Sequence, residues 1–337
     1  MSDFEPTWWC RGPHAQTIWG AVLRATPKIA VHRECWETPD EDFIEVDHVH
    51  AEVGRPVLIV LHGLEGCSET KPVRGFLCAA QQRGWRALGV NFRSCGRQPN
   101  RLRRSYHAGE TSDLQWIIKR VTTRDPEAPI CCVGMSLGGN VLLKYLGEQQ
   151  DHAPAAFKAA VAISTPFDLA VSGCAFERGF FNRFYMKRLV CSLKRKTLEK
   201  LAQYPDLVDR QRLVSVRTIC EFDDLVTAPV HGFANAANYW ALSSCRRFLP
   251  SIRRPTLLIN ALDDPIVPVE TLPQGEIAQN RFLSAAFPEA GGHMGFVGGT
   301  QPWRPILWAE EKALEFLNQQ LMHVPAQTSS RELVPPH

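Results

Sequence analysis

A serine flanked by glycines, Gly134-Met135-Ser136-Leu137-Gly138, follows an apolar run (Cys131, Cys132, Val133) and precedes an apolar pattern of helical spacing (Val141, Leu142, Tyr145, Leu146). Strand, sharp turn and helix is the context in which a serine hydroxyl becomes a nucleophile. The turn crowds the residues two before and two after the serine, so Gly134 and Gly138 serve by lacking a Cβ. The helix that follows turns its free N–H groups and positive dipole end toward any negative charge that builds at Ser136. By composition, Gly-x-Ser-x-Gly arises by chance in roughly one in ten chains of this length. The flanking elements and the partners of the serine therefore have to carry the assignment.

A serine hydroxyl needs a base to take its proton and a third group to orient that base. On an open α/β sheet the expected chain order is Ser, then Asp or Glu, then His, each in a loop after a strand. An apolar run over 256–261 ends in Leu262-Asp263-Asp264-Pro265-Ile266-Val267-Pro268, and a second over 281–287 is followed by Gly291-Gly292-His293-Met294-Gly295-Phe296. His293 is the base, because glycines on both sides let the backbone turn the imidazole inward. Asp264 is the acid, at the tip of its loop, and Asp263 anchors that loop. The oxyanion of a tetrahedral intermediate needs two N–H donors. Leu137, next to the nucleophile, supplies one, and Leu64, in the loop His62-Gly63-Leu64, supplies the other. His62 is read as a brace for this loop rather than a base.

These loops need a sheet to hold them. Segments 31–38 and 43–50 alternate around a Pro39-Asp40-Glu41 turn and predict an antiparallel hairpin. Val57-Leu58-Ile59-Val60-Leu61 is a continuous apolar run of the kind found in strands covered on both faces. Further strands are predicted over 86–92, 130–133, 159–164, 256–261 and 281–287, with helices over 71–83, 111–124 and 305–321 between and after them. Strands alternating with helices predict a mostly parallel, doubly wound α/β sheet. Residues 166–250 break the alternation with helical patterns and little strand, and are read as an inserted helical cap over the carboxyl edge, where ligands of open α/β sheets bind. The predicted organisation is an N-terminal arm over 1–30, a core over 31–165 and 251–321, the cap over 166–250, and a disordered tail over 322–337.

Composition narrows the function classes. The 337 residues carry a formal net charge of +3 and are 45% hydrophobic, which suits a globular core and gives no nucleic-acid footprint. The start, Met1-Ser2-Asp3-Phe4-Glu5, lacks the features of a signal peptide, and no apolar run approaches the roughly 18 residues of a membrane span. Eleven scattered cysteines fit reduced thiols in a cytoplasm better than a disulfide framework. His48-x-His50 reads as one face of a strand and not a metal clip, and His14 and Gln16 as buried hydrogen-bonding side chains. The arginines between Arg93 and Arg104 could hold a phosphate head group; the favoured reading is that Arg93 and Arg101 brace the loop through Glu65, Glu110 or Asp113.

The chain resembles the YheT-like (AB-hydrolase domain-containing) branch of the α/β-hydrolase superfamily. The residues that carry the likeness are His14-Ala15-Gln16-Thr17, His62-Gly63-Leu64-Glu65-Gly66, Asn91-Phe92-Arg93, Pro99-Asn100-Arg101-Leu102, Tyr106-His107-Ala108-Gly109-Glu110-Thr111, Gly134 to Asn140, Phe222-Asp223-Asp224, Asp263-Asp264-Pro265 and Gly291 to Phe296. Ser94-Cys95 and the Trp240 after Tyr239 depart from the branch pattern, outside the triad positions. The resemblance implies an α/β-hydrolase fold and a cofactor-free carboxylic-ester hydrolase with Ser136, Asp264 and His293 at the triad positions. Its substrates would be short- to medium-chain acyl esters, acylglycerols or phospholipids, with transient membrane-surface contact and no nucleic-acid partner. Competing readings keep the acyl-enzyme but pass the acyl group to another acceptor (acyltransferase or thioesterase), or keep the pocket without turnover as a binding protein.

Overall fold

The computed structural model describes residues 4–322. Its sheet is built from β1 His32–Glu37, β2 Phe43–Val49, β3 Val57–Leu61, β4 Arg86–Val90, β5 Ile130–Met135, β6 Phe157–Ile163, β7 Thr256–Ile259 and β8 Leu283–Ala286, in the order β1-β2-β4-β3-β5-β6-β7-β8. The β1–β2 hairpin is antiparallel and joins β4 antiparallel; every later pairing is parallel.

Side chains alternate across a strand, and here the alternation sorts into two cores. Val57, Ile59, Leu61, Ile130 and Cys132 share one core with helices α3 (Ser112–Arg124) and α4 (Leu137–Gln149). Leu58, Val60, Cys131, Val133 and Met135 share the other with α2 (Lys71–Gln82) and α12 (Trp308–Met322). A strand that is apolar on both faces has to be covered on both, so β3 and β5 lie centrally. Helix α2 shows how the covering works. Val73, Phe76, Leu77 and Ala80 recur at helical spacing and are all fully buried. Pro72 sits in its first turn, and Gly84 just past its end adopts φ +68°.

The chain leaves β3 toward β4 on one side and continues through β5 on the other. The loops after β3 and β5 therefore part at the carboxyl edge and open a crevice there. Between β6 and β7 the chain runs through α5 (Leu169–Ala175), α6 (Phe180–Leu201), α7 (Arg210–Ser215), α8 (Ile219–Phe222), α9 (Ala228–Val230) and α10 (Ala236–Ser243), with no strand among them. α1 (Pro13–Ile18) precedes the sheet, and α11 (Gln274–Gln279) links β7 to β8.

Two local differences from the sequence expectation have physical causes. β4 stops at Val90 because the ladder is lost just beyond it: the Asn91 N–H and Nδ2 both still donate to the Glu45 carbonyl of β2, but the Phe92 N–H turns away to His62 Nε2. Residues 306–307 pair with 297–298 as a two-residue ladder, so the closing helix begins at Trp308. Most of the tail expected to be disordered lies outside the described residues; residue 322 itself belongs to α12.

Candidate active site

Ser136 occupies the turn between β5 and α4 with φ 51° and ψ −118°, a conformation non-glycine residues rarely hold. The sheet clamps it from one side, since its N–H donates to the Ile163 carbonyl at 2.8 Å. The helix clamps it from the other, since its carbonyl accepts the N–H groups of Gly139 and Asn140. A Cβ at Gly134 would lie 2.4 Å from the Gly138 carbonyl oxygen, and one at Gly138 would lie 2.6 Å from that of His62. The elbow is thus closed on both flanks, and only glycine fits.

His293 stands opposite. Its Nε2 is 3.0 Å from Ser136 Oγ, and its Nδ1 is 2.9 Å from Asp264 Oδ2 and 3.2 Å from Oδ1. With an acceptor-only carboxylate at Nδ1, the neutral ring carries its proton there and leaves Nε2 to accept the serine proton. The Asp264 side chain is fully buried, and its Oδ1 accepts the N–H groups of Ile266 and Val267 at 2.8 and 3.0 Å. Asp263 Oδ1 instead accepts the Gly292 N–H at 2.8 Å, tying the acid loop to the histidine loop.

The histidine loop is held by residues far away in sequence. The His293 N–H donates to Thr17 Oγ1 at 2.9 Å, and Thr17 Oγ1 donates to the Pro13 carbonyl. The Met294 N–H donates to Ser164 Oγ, at the end of β6. Gly292, at φ +58°, packs so closely that a Cβ there would lie 2.3 Å from the Pro13 carbonyl oxygen. Gln16 is fully buried, donating to the Cys10 and Val297 carbonyls and accepting from the Val297 N–H. His14 reaches Tyr185 of α6 at 3.2 Å. In sequence, neither Thr17, within His14-Ala15-Gln16-Thr17, nor Ser164 carries a mark of a part at the site. No local pattern points from Thr17 to a loop 276 residues away.

The turn after β3 faces the serine. Gly63 approaches it closely, since a Cβ there would lie 3.1 Å from that of Ser136. The N–H groups of Leu64 and Leu137 have no acceptor among the described residues, and both residues border the cavity at Ser136. His62 spans the turn, with Nδ1 at 2.7 Å from the Gly63 carbonyl and Nε2 accepting the Phe92 N–H. Burial lowers its ring to about 4, so it stays neutral in this bracing role.

The cavity above Ser136 has a volume of about 150 Å³. Pro166, Leu169, Phe176, Phe222, Val226 and Trp240 give it apolar walls. Asp223 adds a buried carboxyl to that side. Burial raises its carboxyl to about 6, while Thr227 Oγ1 and Trp240 Nε1 donate to it. The arginine loop is internally paired. Arg93, buried, meets Asp113 through two bonds and Asp42 through a third; Arg101 pairs with Glu37, Arg103 with Asp206, and Arg104 with Asp40 and Glu110. Of the carboxylates expected for Arg93 and Arg101, Asp113 is used, while Glu65 pairs with Lys196. His48 and His50 stack their rings at 5.6 Å, and no metal-binding cluster occurs among the described residues. Nor is any helix among them long and apolar enough to cross a membrane.

Comparison with known proteins identifies the family. Residues 56–299 match the family model described as alpha/beta hydrolase fold. YheT of Escherichia coli (strain K12) is 36% identical over 325 residues, covering 95% of this chain and 94% of that protein. A monoacylglycerol lipase of Saccharomyces cerevisiae is 30% identical over 313 residues, covering 90% of this chain and 66% of the lipase. The esterase Pf2001 of Pyrococcus furiosus shares the fold, with a TM-score of 0.56 and 17% identity over 88% of this chain and 98% of its own. With a family match across the catalytic edge and a relative aligned nearly end to end, the chain belongs to the α/β-hydrolase family, in its YheT-like branch, as an enzyme of the esterase/lipase type.

Proposed function

We propose that the protein hydrolyses carboxylic esters through an acyl-enzyme on Ser136. His293 Nε2 takes the hydroxyl proton as Oγ attacks the ester carbonyl, and Asp264 stabilises the imidazolium that forms. The N–H groups of Leu64 and Leu137 hold the oxyanion of the tetrahedral intermediate. His293 returns the proton to the departing alcohol, and water, activated in the same way, releases the acid. The observation that carries this reading is the unbroken relay from Ser136 Oγ through His293 to Asp264, at 3.0 and 2.9 Å, at the floor of an apolar cavity.

The substrates are short- to medium-chain acyl esters, with acylglycerols or phospholipids within the class. A cavity of about 150 Å³ accepts a molecule the size of benzene, so a butyryl group suits the volume at Ser136. Such lipids would bring the protein into transient contact with a membrane surface. Eleven cysteines without a disulfide support a reducing compartment, the cytoplasm.

The test is p-nitrophenyl butyrate turnover by the wild type beside Ser136→Ala. The variant is expected to lose about 10⁴-fold or more in kcat, the scale seen when a triad member is removed. Equal rates, or no labelling of Ser136 by a fluorophosphonate in the folded wild type, would overturn the assignment.

A further inference from the structure

Helix α6 has two faces of opposite character. Its inner face gives Leu193, Lys196, Thr197 and Lys200 to the cavity wall. Its outer face starts with three phenylalanines in water: Phe180 is 81% exposed, Phe184 57% and Phe181 42%. Exposed Arg183, Lys187, Arg188 and Arg195 continue that face, and the helix has no carboxylate before Glu199. Lys196 on the inner side pairs with Glu65; the four outer cations have no carboxylate partner among the described residues.

Single apolar residues scattered on a surface are ordinary. Three large rings on two adjacent turns, flanked by unpaired charge of one sign, form a patch that needs a partner. Aromatic rings beside Lys and Arg on a helix lying in the surface match the boundary of a bilayer carrying anionic headgroups. The patch also lies beside the catalytic edge. Asn182, between the phenylalanines, donates to the Ala175 carbonyl and to that of Pro265, the residue after Asp264. Phe181 stacks on His14 with ring centroids 4.5 Å apart, which joins the helix start to the arm that holds His293.

We infer that the outer face of α6 docks the protein on an anionic lipid surface. Phe180 and Phe184 enter the headgroup–acyl boundary, and Arg183, Lys187, Arg188 and Arg195 pair with lipid phosphates. The contact gives a location on the molecule to the membrane encounter proposed above, and it is read out without any ester chemistry.

The experiment is co-sedimentation of the full chain with vesicles of phosphatidylcholine alone and of phosphatidylcholine with an equal part of phosphatidylglycerol. The wild type is expected on the anionic vesicles and to be released by 0.5 M salt, which shortens the screening length. Phe180→Ser with Phe184→Ser, and separately Lys187→Glu with Arg188→Glu, should each reduce partitioning by about tenfold or more. Both pairs lie on the solvent side, so turnover of p-nitrophenyl butyrate in solution should match the wild type and certify folding. If that turnover is absent in all three proteins, the hydrolase reading fails while vesicle binding still decides this one. Binding unchanged in both variants, or no binding by the wild type, would overturn the docking surface. A wild-type dimer in sedimentation velocity that the serine variant converts to monomer would overturn it too, by showing a second copy on the patch.

Discussion

Gly138→Ala tests how the elbow and the oxyanion turn are coupled. The new methyl would lie 2.6 Å from the His62 carbonyl oxygen and 2.7 Å from that of Leu61, both backbone atoms that cannot rotate away. To restore ordinary contact at 3.4 Å, the end of β3 and the start of α4 must part by about 0.8 Å. Overpacking of this kind typically costs about 1–3 kcal/mol in stability. The kinetic cost should be larger. Leu64 lies two residues past His62 and Leu137 is adjacent to Gly138, so the displacement separates the two N–H groups proposed to hold the oxyanion. A misplacement near 1 Å can cost about 10²-fold, and losing one donor costs about 2.7–4 kcal/mol in the barrier. The expected result is kcat for p-nitrophenyl butyrate down by about 10²-fold, a smaller change in KM, and a fold that survives at 25 °C. Thermal unfolding beside steady-state kinetics separates the two effects. A kcat within threefold of wild type, in a variant destabilised as expected, would refute the coupling.

Thr17→Val leaves the His293 N–H without its acceptor, which should cost about 1–3 kcal/mol and lower kcat by about tenfold; unchanged kinetics would show that Ser164 and the glycines hold the loop unaided. Asp223→Asn should stabilise the protein at pH 7. Its folded carboxyl titrates at about 6 against an ordinary 3.8, so the folded state binds the extra proton and loses stability as pH rises between those values. The shift is worth up to about 3 kcal/mol. Asn can still accept from Trp240 Nε1 and donate to Thr227 Oγ1, so urea unfolding should show the gain at pH 7 and its disappearance near pH 4. A variant no more stable at pH 7 would show that the charge is compensated.

The arginine loop shows why composition misleads where tertiary structure decides. A run of cations between Arg93 and Arg104 looks like an anion site along the chain, yet each carboxylate that meets Arg93, Arg101 and Arg103 comes from a distant element. Asp42 sits in the β1–β2 turn and Asp113 in the first turn of α3, and they converge on a buried guanidinium. Removing such a cation would strand buried carboxylates, which typically costs about 3–5 kcal/mol.

Local rules were enough for much of the rest. The unbroken apolar runs of β3 and β5 declare fully covered strands, because burial on two faces leaves that mark on sequence; the twofold alternation in 43–49 suggests a half-covered strand, yet all of β2 is buried, with Asp47 paired to Arg33. The glycines around Ser136 and His293 announce tight turns for the same kind of reason: steric exclusion acts between near neighbours. What no window of sequence contains is the distance from Ser136 to His293, or the grip of Thr17 on a loop 276 residues away. Those depend on where the parallel crossovers set down the ends of β5, β7 and β8, and on an N-terminal arm returning to pack against Gly292. Spacing along a chain limits which groups can act together; only the packed sheet and its loops bring them within hydrogen-bond reach.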